Sequence, residues 1–185
     1  MEQNSDRKIE IIEAAKKLFS KKGYSPTSMD DIAKEVGITK ASLYYFFKGK
    51  EEIFSAIVSQ VAAEVKESLG QELKICKPDA SALAAMIDHT ITICLKNGIV
   101  IRPIDLKVAN LHPLVFERIL PMLAEIKTDL KQVLGCYGVA NSELAAEVLV
   151  NSVHAYVLQS KHGIKIASQN EYSSYLASLF LKKNN

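Results

Sequence analysis

Apolar residues recur every three or four positions along almost the whole of this 185-residue chain. A half-buried strand would instead alternate apolar and polar residues one by one. This spacing argues against a sheet-based core and makes all-α the expected fold class. The first repeat, Ile11, Ile12, Ala15, Leu18 and Phe19 with lysines opposite, predicts a helix over 6–22 that Gly23 stops. Further helices are expected near 29–35, 39–46, 51–73, 79–96, 113–134, 142–162 and 171–181, with a short one after Pro103. Pro121 lies inside one of them and is expected to kink or split it, since proline lacks the N–H and crowds the preceding turn.

The first fifty residues hold the most specific local signals. Ser28 suits an N-cap, and Asp31 three residues later comes close to a capping box. The short helix that follows ends at Val36-Gly37-Ile38, where Gly37 can take the left-handed backbone of a tight turn. Thr39 caps the next helix. Ile32, Ala33, Val36, Ile38, Leu43 and Phe47 can close a small core with Leu18 and Phe19, leaving Thr39, Lys40, Ser42, Tyr44 and Tyr45 to point outward. Two short helices joined by a glycine turn and packed on a longer one are the parts of a helix-turn-helix unit. Outward tyrosines are costly on an inert surface but useful at a phosphate-lined groove, where the phenol donates and the ring covers sugar.

Charge is distributed in the same sense. Residues 1–50 carry ten Lys/Arg against seven Asp/Glu, and the other residues thirteen against fourteen. A basic head on a near-neutral body favours a polyphosphate partner through counterion release. The 48% hydrophobic and 24% charged content is that of an ordinary globular chain. No apolar run reaches the roughly 20 residues of a membrane span, and MEQNSDRKIE has no signal core, so a cytoplasmic location is expected. Cys76, Cys94 and Cys136 are odd in number and far apart. They suggest neither a disulfide framework nor a metal pair, and no metal or cofactor is expected.

The stretch GYSPTSMDDIAKEVGITKASLYYFFKGKEEIF, joined to RKIEIIEAAKKLFSKKG, resembles the DNA-binding signature of the TetR family of bacterial regulators over residues 7–54. The resemblance implies a helix-turn-helix DNA-binding domain over 1–50, and a helical-bundle effector-binding and dimerisation domain over 51–185. It implies that Thr27 and Ser28 meet phosphate at a helix N-terminus. Thr39 and Lys40 open the recognition helix, with Lys40 reading a guanine edge and Ala41 able to meet a thymine methyl. Ser42 can touch phosphate or base, Tyr44 clamps phosphate with Tyr45 as a second contact, and Lys50 neutralises phosphate. Phe46 departs from the family pattern and offers no polar contact. The residues also admit structural readings: Lys40 and Lys50 as solvated lysines, Tyr45 as partial core, Ser28 and Thr39 as caps alone.

The resemblance further implies a homodimer on a palindromic operator and a small-molecule effector that releases it. The C-terminal helices carry apolar residues on more than one side, and Leu144, Val148, Ala155, Tyr172, Leu176, Leu179 and Phe180 are the expected dimer interface. Met86, His89, Ile93, Cys94, Phe116 and Tyr156 are the candidate effector contacts, each with ordinary core packing as its alternative. Scarce buried charge favours an apolar or aromatic effector. No nucleophile–base pair, glycine-rich phosphate loop or metal spacing points to an enzyme. A helical adaptor would show a neutral recognition helix, and an architectural binder would hold scrambled DNA as tightly.

Overall fold

The computed structural model describes residues 2–76, 79–97 and 113–181, and all its regular elements there are helices. They are α1 (Glu2–Lys22), α2 (Met29–Val36), α3 (Lys40–Phe46), α4 (Lys50–Ile75), α5 (Ala80–Asn97), α6 (Pro113–Cys136), α7 (Ser142–Lys161) and α8 (Gln169–Leu181). The all-α expectation holds. The short helix expected after Pro103 lies outside the described residues. Pro121 does not split its helix: α6 runs through it, at the cost of one backbone hydrogen bond.

The chain forms two compact units, Met1–Gln60 with Pro103–Pro121, and Val61–Arg102 with Met122–Asn185. The division falls inside α4. In the first unit α1 packs on α2, and α2 on α3. Ile11, Ala15, Leu18, Phe19, Ile32, Ala33, Leu43 and Phe47 are buried there, while Val36 and Ile38 are half-buried at the turn. Burying such side chains contributes on the order of 1.5–3 kcal/mol each. In the second unit α5 packs against α7 and α8. Its core includes Leu83, Ile87, Ile91, Leu134, Ala146, Leu149 and Val157.

The expectation of unpaired cysteines is overturned. Cys76 and Cys136 form a disulfide, with Cα atoms 6.2 Å apart and a sequence separation of 60. Cys76 directly follows α4 and Cys136 ends α6. Tertiary packing brings the two helix ends together, which linear spacing does not reveal. Cys94 stays a buried thiol. Among the described residues no three of His, Cys, Asp and Glu gather as a metal site, and no helix is long and apolar enough to cross a membrane.

Candidate nucleic-acid interface

The interface rests on two capped helix starts. Ser28 accepts a hydrogen bond from the Asp31 amide at 3.1 Å, while its own amide donates to Asp31 Oδ2 at 2.9 Å, completing the capping box. These bonds favour the ionised carboxylate, so Asp31 falls from 3.8 to about 2, with Ser28 the largest cause and Lys22 a smaller one. Gly37 ends α2 at φ 76°, a backbone that a residue with a Cβ adopts only with strain, and its amide reaches back to Ala33 and Lys34. Thr39 then accepts from the Ser42 amide at 3.1 Å and starts α3.

On α3, only Leu43 is buried. Lys40 and Tyr44 are one helical turn apart, as are Ala41 and Tyr45, so the four form two neighbouring outward rows. All four are exposed, Tyr44 at 44% and Tyr45 at 75%. Ser42 is half-buried, and Phe46 is half-buried with its ring edge-on to Tyr45 at 5.2 Å. Lys40 makes an ion pair with Asp30 of α2 at 2.8 Å, and that hydrogen bond is the main reason its pKa is raised. Both partners are about half exposed, so the pair contributes little to stability and remains available for exchange.

Two expected phosphate contacts are placed otherwise. Thr27 is 1% exposed, and its hydroxyl donates to the Gly23 carbonyl at 2.7 Å. Its buried side chain ties the α1–α2 turn together. The Lys50 ammonium donates to the carbonyls of Tyr24, Ser25 and Thr27 at 2.9, 3.1 and 2.8 Å, and lies 4.4 Å from the centre of the Tyr24 ring. An ammonium has three protons, and three carbonyls take them. Lys50 therefore braces the turn that leads into Ser28. Tyr24 completes the brace by donating to Glu51 at 3.2 Å, and burial followed by the Glu51 charge pushes its phenol well above the usual range. Asp30, Tyr24 and Glu51 were not among the expected site residues. Their partners lie ten or more positions away, beyond the reach of helical periodicity.

Residues 11–57 match the profile described as bacterial regulatory proteins, tetR family. Over these residues the head is similar to the DNA-binding domain of that family. It is 40% identical over 73 residues to the uncharacterized HTH-type transcriptional regulator YhgD of Bacillus subtilis strain 168, covering 40% of this chain and 38% of that protein. It is 57% identical over 47 residues to IcaR of Staphylococcus epidermidis, the HTH-type negative transcriptional regulator of the biofilm operon icaADBC, covering 25% of each chain. The matched stretch thus spans less than two fifths of these relatives. The fold match reaches much further. The TetR-family regulator PfmR of Thermus thermophilus superposes with a TM-score of 0.71 at 21% identity, over 95% of this chain and 96% of that one. AibR, in complex with isovaleryl coenzyme A and operator DNA, gives 0.72 at 19% identity, over 94% and 97%. The whole chain therefore has the fold of TetR-family regulators.

The body residues that the TetR resemblance singled out do not share one setting. Met86, Ile93, Cys94 and Tyr156 are buried in the body core. Tyr156 donates to the Ala167 carbonyl at 3.2 Å, and its ring lies 4.6 Å from that of Tyr172. His89 is exposed, and with Ile93 it lines a groove of about 370 Å³ that also takes Glu64, Glu67 and Lys96. The Phe116 side chain lies outside the described residues. Of the expected interface residues, Leu144, Val148 and Leu179 are exposed at 58%, 45% and 44%. Leu176 is buried, and Tyr172 and Phe180 pack against the core. Ala155 is half-buried. Tyr175 and Leu158, also apolar and exposed, belong with the outward group.

Proposed function

We propose that this protein is a transcriptional repressor that binds a palindromic operator as a homodimer and is released by a small-molecule effector. The observation that carries the reading is the exposed double row Lys40–Tyr44 and Ala41–Tyr45, on a helix whose start is fixed by Thr39. Its residue types fit a major groove. Lys40 exchanges Asp30 for a guanine edge, Ala41 leaves room for a thymine methyl, and the two phenols donate to phosphate. The start of α2 offers backbone amides as an anion site beside it, and Ser28, whose hydroxyl donates to Asp31 Oδ2 at 2.7 Å, reaches phosphate only by exchanging that bond. Thr39 and Ser42 add shorter polar contacts, and Lys50 acts from behind by holding the turn.

Dimerisation is supported by exposed Leu144, Val148, Tyr175 and Leu179 on α7 and α8, more apolar area than a solvated helix pair needs. Two symmetric heads would read half-sites about 34–36 Å apart. An effector is supported by analogy with AibR, whose structure holds isovaleryl coenzyme A and operator DNA. Repression is supported by IcaR, a negative regulator with a closely similar head. The effector releases DNA only if it binds the low-affinity conformation more tightly. A protein that works on chromosomal DNA acts in the cytoplasm, and binding accounts for the whole activity without catalysis.

The test is binding to palindromes from the protein's own upstream DNA and to scrambled duplexes, followed by fluorescence anisotropy across salt concentrations. A preference of about 10³-fold or more is expected. Tyr44→Ala is expected to weaken binding at least tenfold. Equal affinity for scrambled DNA, or an unaffected Tyr44→Ala, would remove the operator reading. Sedimentation of Leu144→Glu/Leu179→Glu is expected to give monomer, and an unchanged dimer would remove that interface.

A further inference from the structure

The Cys76–Cys136 pair lies within the second compact unit, and its setting gives it a chemistry of its own. The Cα separation of 6.2 Å lies within the roughly 4.4–6.8 Å that a disulfide spans without backbone movement. Both cysteines are half-exposed, so a small oxidant or thiol can reach them. Cys94 contrasts with them: it is buried, and burial pushes its thiol up to about 11. It is therefore a poor competitor for oxidation.

The neighbourhood keeps the pair together when the bond is open. Tyr137, next in sequence to Cys136, is buried and donates to Glu72 in the last turn of α4 at 3.0 Å. Val139, just beyond, also packs into the body core. The two helix ends are thus joined by a hydrogen bond and packing as well as by sulfur. Opening the bond leaves two thiols facing each other, which makes closure an intramolecular step.

We propose that Cys76 and Cys136 form a reversible dithiol–disulfide modification site that hydroperoxides close and low-molecular-weight thiols open, changing how firmly the C-terminal end of α4 is anchored. In closure, one thiolate attacks a peroxide oxygen. The O–O bond breaks, the alcohol leaves, and a sulfenic acid forms. The second thiolate attacks that sulfur, the S–S bond forms, the S–O bond breaks, and water leaves. Two electrons pass from the sulfurs to the peroxide, and the two thiol protons end on the alcohol and the water. In opening, two small thiols reduce the bond through a mixed disulfide and leave as their own disulfide. That the bond is switched, and is not a permanent staple, rests on the proposed role at DNA. Disulfides in that reducing compartment are characteristically transient or redox-sensing.

The full-length protein is reduced with dithiothreitol, freed of it, and treated with one equivalent of cumene hydroperoxide. Alkylation after denaturation, read by mass spectrometry, is expected to fall from three labelled cysteines to one. A linked 76–136 peptide is expected, with full reversal by dithiothreitol. Cys94→Ser should still form the link; Cys76→Ser and Cys136→Ser should not. Closure is expected to raise the thermal midpoint by on the order of 5 °C, and to slow amide exchange in the last turn of α4. Three labelled cysteines after peroxide, or over-oxidation of one cysteine without a link, overturns the site. A link that leaves melting and exchange unchanged overturns the anchoring. Operator affinity measured on the same samples separates the two proposals, since a link in a protein that ignores operator DNA counts against the regulator alone.

Discussion

The head and the body are both built from amphipathic helices, yet their residues are specified over different distances. In the head the bonds that cap and turn the short helices are local, although the brace of Lys50 and Tyr24 reaches across more than twenty positions. Ser28 and Asp31, Thr39 and Ser42, and Gly37 with Ala33 lie three or four positions apart. In the body, Tyr137 meets Glu72 and Cys136 meets Cys76 across some sixty residues of chain. A short-range scaffold can present a fixed surface with few residues, whereas a long-range one leaves room for variation between relatives. That matches identity concentrated in the head and a fold shared at about 20% identity over nearly the whole chain.

The comparison breaks first at Leu43, where α3 meets the core of the head at 0% exposure. Leu43→Ala is expected to cost about 3 kcal/mol by chemical denaturation and to abolish operator binding. A loss under 1 kcal/mol would mean that α3 is not held by its core. Next is Lys50. Lys50→Met is expected to lose about 1–2 kcal/mol of head stability, discounted for its partial exposure, while leaving the dependence of operator affinity on salt unchanged. If Lys50 instead contacts phosphate, the log–log salt slope falls by about 1.8, about 0.9 for each protomer of the dimer.

Ser28→Ala removes one cap and is expected to cost about 1 kcal/mol, with a similar value for Thr39→Ala. The smallest effect is expected at Asp30. Asp30→Asn should change stability by less than 1 kcal/mol and move operator affinity more than folding, since it frees Lys40. The head also carries an acid-sensitive element. Asp31 is lowered from 3.8 to about 2, so its contribution is complete above about pH 4 and disappears as the pH falls toward 2. An acid titration of Asp31→Asn should lack that step.

Sequence made the head legible because its caps and turn are local. It anticipated the capping box, the left-handed Gly37, the Thr39 cap and the outward tyrosines. It did not foresee that Thr27 and Lys50 donate to backbone carbonyls, since residue type alone cannot tell a phosphate donor from a donor already committed within the fold. Leu176 and Leu179 show the corresponding limit in the body. Both lie on one apolar stripe, but Leu176 is buried and Leu179 is 44% exposed. A stripe broader than one contact does not reveal which edge faces its own core. The cysteine pair was invisible for the same reason of distance.

The aromatic placements have a practical consequence. The chain has seven tyrosines and no tryptophan, so its near-ultraviolet signal comes chiefly from phenols. Tyr24 is clamped in the head between Phe54, whose ring centre is 4.9 Å away, and the Lys50 ammonium. Tyr156 and Tyr172 are paired in the body. Each unit thus contains its own chiral chromophore, and replacing Tyr24 with Phe would leave a spectrum dominated by the body. Circular dichroism could then follow the melting of one unit apart from the other, without an added label.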